Sequence, residues 1–283
     1  MKILVLGANG MIGSAILRLL SLNSKWDVAG TVRSQKNFGF RMEKLIQIKT
    51  LDDRDVLREL LDYETPDLTI NCAGTTKHAP LGDNALTALS MNAVLPHELL
   101  QYSNKNNSRL IHISSDCVFS GQKGNYSEAD ITDATDLYGR TKALGEITGK
   151  HVVTLRTSTI GHEIETKFGL LEWFLSQRKC YGFKSAMFSG VTSLELASVI
   201  RDFVIPNENA NGLYNLGSKT ISKYDLLRII NDVYQSNVNI CADTSFKIDR
   251  SLNSKKFTND FGYIAPDWHD MVAQMHRSHT QES

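Results

Sequence analysis

The chain has 283 residues, with 31 lysines and arginines against 31 aspartates and glutamates and 41% hydrophobic residues. That length suffices for one large domain or a main domain with a smaller lobe, and the balanced charge excludes a net field that would draw the chain to nucleic acid or an anionic membrane surface. Cys72, Cys117, Cys180 and Cys241 show no zinc-ligand or dithiol spacing, so they read as reduced thiols of a cytoplasmic protein.

In chain order, residues 2–6 form an apolar run that reads as a strand, followed directly by G-A-N-G-M-I-G from Gly7 to Gly13. The evenly spaced glycines argue against taking this N-terminal run for a signal peptide. Residues 28–33, 45–48, 68–72 and 110–114 read as further strands, 152–156 as a sixth and 212–216 as a seventh, with helical patterns between them. These strands are apolar through both faces, the pattern of a parallel sheet covered by helices on both sides. Helices are expected over 137–148, 168–177, 193–204 and 222–234, the last with Ser222 as N-cap and Asp225 three residues on. Those after residue 156 are expected to build a smaller lobe, with Trp173 and Phe174 on a buried helix face. Pro266 and Asp267 open a last short helix ending near His276, and the polar tail from Ser278 is expected to be disordered. No segment approaches the roughly 20 apolar residues needed to span a bilayer.

Gly7, Gly10 and Gly13 sit where the first strand turns into the first helix. A tight turn needs a residue without Cβ, and close approach of the backbone lets helix N–H groups and the positive end of the helix dipole meet a pyrophosphate. Asn9, Met11 and Ile12 complete this candidate dinucleotide-binding turn. At the end of the second strand an acidic residue would accept from a ribose 2′-hydroxyl. Arg33 stands there instead, and its guanidinium suits a 2′-phosphate, so NADPH is favoured with NADH as the alternative. The expected fold is therefore α/β, a doubly wound parallel sheet (Rossmann fold) with a smaller C-terminal substrate-binding lobe. Residues 1–160 are expected to form the NADP(H)-binding domain and 161–283 mainly the lobe, interleaved, with segments near 186–235 returning to the main domain.

Tyr138 and Lys142 stand four apart in Y-G-R-T-K, so both project from one helix face. A phenol with an ordinary pKa of about 10 is a poor acid-base catalyst near neutrality, and a nearby ammonium is expected to lower it. Ser115 ends the fifth strand, and in a doubly wound sheet ligands collect outside the carboxyl ends of the strands. Its hydroxyl is thus placed to bind a substrate carbonyl oxygen, with Asp116 a weaker candidate beside it. Lys77 and His78 follow the fourth strand and read equally as cleft lining or solvated loop. His112, between Ile111 and Ile113, reads as a packed core residue, and the histidines show no metal-ligand pattern.

These residues resemble the extended short-chain dehydrogenase/reductases, and among them the dTDP-4-dehydrorhamnose reductases. The resemblance runs nearly end to end: Gly7 to Gly13, L-D-D at Leu51 to Asp53, N-C-A-G at Asn71 to Gly74, M-N-A-V-L-P at Met91 to Pro96, L-I-H-I-S-S-D-C-V-F-S-G at Leu110 to Gly121, and L-Y-G-R-T-K-A-L-G-E at Leu137 to Glu146. R-T-S at Arg156 to Ser158 and R-S-L-N-S at Arg250 to Ser254 extend it. It implies that Asp52 meets the adenine, that Cys72, Ala73 and Gly74 line the dinucleotide, that Asn92 supports the active-site geometry and that Lys142 also holds the nicotinamide ribose. It further implies an NADPH-dependent reduction of a nucleotide-linked 4-keto-6-deoxy sugar in deoxysugar or polysaccharide biosynthesis, and a homodimer whose contact face the helices do not reveal.

The chain departs from the resembled pattern in having Ser115 for threonine, Cys117 for tyrosine, Thr159 for an aromatic residue and Ser251 for proline. The last two fall in the expected substrate lobe, where Arg250 reads equally as a diphosphate clasp or a structural residue. Two other readings stay open: a nucleotide-sugar epimerase or dehydratase retaining NAD, and a dinucleotide-binding regulatory subunit without catalysis.

Overall fold

Alternate residues of the first strand, β1 (Lys2–Leu6), face opposite sides, and both sides are buried. Ile3 and Val5 join one apolar cluster with Ile16, Leu17 and Leu20, while Leu4 and Leu6 join another with Leu57, Leu61, Leu95 and Leu99. A strand buried on both faces needs helices on both faces, and the computed structural model has them. It describes residues 1–33, 44–76, 84–164 and 167–280. Lys77 and His78 lie outside the described residues.

The first half runs β1, α1 (Met11–Ser21), β2 (Asp27–Val32), β3 (Leu45–Gln47), α2 (Arg54–Glu64), β4 (Leu68–Asn71), α3 (Ala85–Leu89), α4 (Leu95–Asn106), β5 (Arg109–Ser115), α5 (Leu137–Leu144) and β6 (Val152–Thr157). After it come β7 (Thr159–Ile160), α6 (Leu170–Leu175), β8 (Lys179–Phe188), β9 (Val191–Thr192), α7 (Ser193–Val199), β10 (Gly212–Asn215), β11 (Ile221–Ser222), α8 (Lys223–Tyr234), β12 (Asn239–Asp249), α9 (Lys255–Phe261) and α10 (Trp268–Thr280). Seven of these strands form one parallel sheet in the order β10-β6-β5-β4-β1-β2-β3. This is the doubly wound α/β fold that the strand series predicts. The chain leaves β1 toward β2 and β3, then returns to build β4, β5, β6 and β10 on the other side. The switch point therefore lies between β1 and β4, where Leu6 pairs with Asn71, the place at which a doubly wound sheet offers a crevice to ligands.

Several elements differ from expectation. A second sheet, β11-β8-β12, supplies the smaller lobe, and its long strands β8 and β12 are parallel neighbours. The helix expected over 193–204 consists of α7 and a following π-helical stretch, Ile200–Val204, and α7 packs against α1. Phe174 on α6 is buried, but Trp173 is 40% exposed, so the two do not share a buried face.

α5 is shorter than the expected 137–148. It stops at Gly145, where an added Cβ would lie 1.9 Å from the carbonyl oxygen of Asn92, so the chain turns away to pass that backbone. α10 is longer than expected and includes Ser278, contrary to the expected disorder from that residue. Arg18 donates to the Ser278 hydroxyl at 3.0 Å and the His279 ring stacks on His162 at 3.6 Å, tying the last turn to the core. Among the described residues no helix is long and apolar enough to cross a membrane.

Candidate active site

The turn after β1 shows why glycine stands at three positions, for two different reasons. Gly7 has φ +75°, and a Cβ there would approach the Ala73 backbone to 2.9 Å; at Gly13 a Cβ would lie 2.2 Å from the Gly7 carbonyl oxygen. Both are required by the protein's own packing. Gly10 is different: only the Gly7 oxygen lies within reach, at 3.4 Å, so an alanine would fit. Gly10 is also the N-cap of α1, with extended backbone and no side-chain cap for the N–H groups of the first turn, Met11, Ile12 and Gly13. Uncapped donors at a helix start, next to a position kept bare for no internal reason, fit a pyrophosphate.

The other residues expected around a dinucleotide stand just past β2, between β3 and α2, and just past β4. Arg33 is exposed just past β2, and its carbonyl accepts from Gln47 at 3.4 Å. Asp52 is exposed before α2 and its carboxylate accepts from the Thr50 hydroxyl, while the adjacent Asp53 caps α2 through the N–H groups of Asp55 and Val56. After β4, the Asn71 side-chain oxygen accepts from the Ala73 N–H at 3.1 Å and fixes the strand's exit. Cys72 is held beside it, its thiol pushed up to about 12 by burial. Gly74 passes so close to Asn92 that a Cβ would lie 2.8 Å from the amide oxygen. Asn92 itself is fully buried in a π-helical turn, Ser90–Val94, accepting from the Thr75 N–H at 2.9 Å and donating to the Thr141 hydroxyl at 3.2 Å. It therefore links the β4 exit to α5.

Ser115, Tyr138 and Lys142 meet at the carboxyl end of β5. The Asp136 side chain caps α5 by accepting from the Gly139 N–H at 2.9 Å, which sets the helix start and carries Tyr138 and Lys142 inward. Lys142 is only 5% exposed and donates to the Ile113 carbonyl at 2.7 Å. Burial pushes its ammonium down to about 8, opposed by the charges of Glu146 and Cys72. Ser115 accepts from the Cys117 N–H at 3.1 Å, donates to Asp116 at 3.3 Å and adjoins the Tyr138 phenol.

One expectation is reversed: Tyr138 is not made more acidic. Its phenol is pushed up by burial first, then by the negative charges of Cys117, Asp116 and Asp136, against a lowering contact with Ser115. The ammonium of Lys142 is directed to a backbone carbonyl, so the protein's own environment holds the tyrosine protonated. His112 is buried, bonded to the Asn71 amide through Nδ1 at 3.1 Å and kept neutral by burial, in keeping with a packed core residue.

On the lobe side, the Arg250 Nε donates to the Phe119 carbonyl at 2.8 Å and Nη1 reaches Cys117 Sγ at 3.7 Å, while its charge faces Asp116. Arg250 is thus structural and turned toward the site at once. Two groups here had no role assigned from sequence, Lys223 outside any motif and Glu146 at the end of one. Lys223, the first residue of α8, has its ammonium pushed down to about 8 by burial, opposed by Asp116 and Cys117. Glu146 receives Nε and Nη2 of Arg156 at 2.7 and 2.6 Å and the Ser114 hydroxyl at 2.8 Å. The available signal for Lys223 is a lysine in a first helical turn, where the helix dipole disfavours a cation.

Residues 1–280 match the family model described as RmlD substrate binding domain. The chain belongs to the RmlD family. One RmlD relative, the dTDP-4-dehydrorhamnose reductase of Aggregatibacter actinomycetemcomitans, is 26% identical over 94% of this chain and 95% of its own length. The Bos taurus methionine adenosyltransferase 2 subunit beta is 30% identical, but over 51% of this chain and 41% of that protein. Among solved structures, the dTDP-4-dehydrorhamnose reductase of Bacillus anthracis in complex with NADP superposes with a TM-score of 0.80 at 18% identity, covering 98% of this chain and 99% of that one. The RmlD fold thus spans the described chain from the glycine turn to α10.

Proposed function

We propose that this protein is an NADPH-dependent reductase that reduces the keto group of a nucleotide-linked 4-keto-6-deoxy sugar. The observation that carries the reading is the meeting of Tyr138 with Ser115 and the buried Lys142 at the carboxyl end of β5. Gly7 to Gly13, Arg33, Asp52 and Cys72 to Gly74 would hold the dinucleotide, which when bound supplies a hydride to the carbonyl carbon. Reduction leaves negative charge developing on the carbonyl oxygen, and donors placed there act most strongly in the transition state. Tyr138, kept protonated by its surroundings, gives that oxygen its proton. Ser115 turns its hydroxyl from Asp116 to the same oxygen. With Ile113 taking one donor of Lys142, two remain for the ribose and for the phenolate that forms as Tyr138 gives up its proton.

A phenol held protonated carries the proton that the reduced oxygen needs, and the nearby Lys142 ammonium would stabilise the phenolate left behind. Purified protein with NADPH and dTDP-4-keto-6-deoxyglucose is expected to consume NADPH. Tyr138→Phe is expected to lose turnover by about 100-fold or more, the usual scale for a general acid, with NADPH affinity unchanged.

The similarity to a subunit named beta in Bos taurus supports a second reading, a dinucleotide-binding subunit that serves another enzyme. The same variant separates them, because such a subunit keeps its role with phenylalanine at 138. Tightly retained NAD in the purified protein, with no NADPH oxidation, points instead to an epimerase or dehydratase.

A further inference from the structure

Histidines from two distant segments meet at the end of α10. His162 follows β7 and uses both ring nitrogens: Nδ1 lies 2.7 Å from Glu172 Oε1 on α6, and Nε2 lies 2.9 Å from the Tyr234 hydroxyl on α8. A carboxylate only accepts, so Nδ1 carries a hydrogen; the hydroxyl donates to Nε2 when the ring is neutral and accepts from it when the ring is charged. His162 is therefore satisfied in either state. The ring of His279, from the last turn of α10, lies flat on it, with centroids 3.6 Å apart and planes 11° from parallel. One turn earlier His276 lies against the Tyr234 ring at 4.3 Å, and between them Ser278 accepts from Arg18 of α1 at 3.0 Å. His279 is exposed, so a proton reaches it without movement of the helix.

Two neutral imidazole rings stack face to face, but two imidazolium ions at that separation repel each other. The groups that face His279 come from four elements: His162 after β7, Glu172 of α6, Arg18 of α1 and His276 of its own helix. His162, Arg18 and His276 oppose a proton on His279, while Glu172 favours one and already receives the His162 N–H. Partial burial first, and the charge of His162 next, hold His279 below the ordinary histidine value. The bond from His162 is the first cause holding Glu172 below the carboxylate range, so it stays ionised where histidines titrate. The docked turn thus binds fewer protons than a released one. Docking is complete above the ordinary value of about 6.5 and weakens as pH falls below it.

We propose that the stacked pair of His162 and His279 is an acid-released latch, which holds the last turn of α10 against His162 and Tyr234 at neutral pH and frees it under mildly acidic conditions. Release takes up one extra proton, so the docking constant changes by at most about tenfold per pH unit. No group of the candidate active site takes part, and the latch serves a reductase and a regulatory subunit alike.

The test is amide hydrogen exchange at residues 276–280, with β1 as the reference, at about pH 7.5 and about pH 5.5, on either side of the ordinary histidine value. Rates are divided by those of unstructured peptides at the same pH. In wild type, protection of the last turn is expected to fall about five- to tenfold at the lower pH while β1 is unchanged. His279→Phe keeps a flat ring and loses the proton site, and its protection is expected to be alike at both pH values. His276→Phe is expected to keep the wild-type fall. Ring-proton NMR titration supplies a readout that does not depend on how well phenylalanine docks: His279 is expected to titrate below about 6.5, and to rise toward that value in His162→Phe. Equal protection of the wild-type turn at both pH values overturns the latch. So does a fall that persists in His279→Phe, or one shared by β1, which marks loosening of the whole molecule. A His279 midpoint that His162→Phe leaves in place overturns it as well.

Discussion

Gly10 and Gly13 differ in what a methyl group would strike, and that difference separates binding from folding. At Gly13 a Cβ would sit 2.2 Å from the Gly7 oxygen, which is backbone and cannot move aside cheaply. Gly13→Ala is therefore expected to destabilise the protein by about 1–3 kcal/mol, the usual cost of overpacking. At Gly10 the nearest atom is 3.4 Å away and the backbone is ordinarily extended, so Gly10→Ala should cost under about 1 kcal/mol as an N-cap change. Its methyl group instead enters the space in front of the uncapped helix start. NADPH affinity is expected to fall at least about tenfold, or roughly 1.4 kcal/mol. Denaturation midpoints and fluorescence titration with NADPH read the two quantities separately. Equal NADPH affinity in Gly10→Ala and wild type would mean that the pyrophosphate does not lie against this turn. The glycine spacing and the Tyr138-Lys142 pair were legible at this scale because each is a local pattern. The raised pKa of Tyr138 was not, since it depends on Cys117, Asp116 and Asp136 and on burial that no spacing reveals.

The end of α5 is fastened to β6 by a buried ion pair. Arg156 is 3% exposed and bonds Glu146 through two nitrogens, while Ser114 donates to the same carboxylate. Removing one partner leaves the other charge buried, and Glu146→Ala is expected to cost about 3–5 kcal/mol. The exposed pair of Lys123 and Asp130 serves as contrast, where Lys123→Ala is expected to cost less than about 1 kcal/mol. Urea midpoints at constant slope compare the two; similar small losses would show that water reaches Arg156. Elements of the main sheet were readable because β1, β4, β5 and β6 are continuous apolar runs that only a double-sided core explains. β8 and β12 gave no such run. The inward residues of β8 include the small Cys180, Gly182 and Ala186, and most of β12 is exposed. Their pairing joins segments far apart in sequence, Asn239 beside Lys179, so what specifies them is the partner strand and not a local period. Lys223 went unseen for a related reason: Ser222 marked the helix start correctly, but the surroundings that desolvate the next residue come from segments distant in sequence, Phe188 among them.

Across the whole molecule, the buried titratable groups set a stability profile whose sign can be worked out. Lys142 and Lys223 are each pushed from 10.5 down to about 8 by burial. As pH rises through 8 the native state sheds protons that the unfolded chain keeps until about 10.5, so the unfolded state binds more protons and stability rises with pH. Cys72 acts in the opposite sense, because the unfolded thiol ionises near 9.0 while the native one holds its proton to about 12. Tyr138, Tyr234 and Tyr263, all pushed up from 10.0 by burial, add to this above pH 10. The ligand-free protein is therefore expected to gain stability from pH 7 to about 9, level off, and lose it above 10. Urea midpoints taken at intervals across that range test the profile. Lys142→Met and Lys223→Met should each remove about half of the initial rise, since each eliminates one of the two protons involved. A flat midpoint between pH 7 and 9 in wild type would mean that both ammonium groups are better solvated than their burial implies, and the polarity of the cleft would have to be drawn afresh.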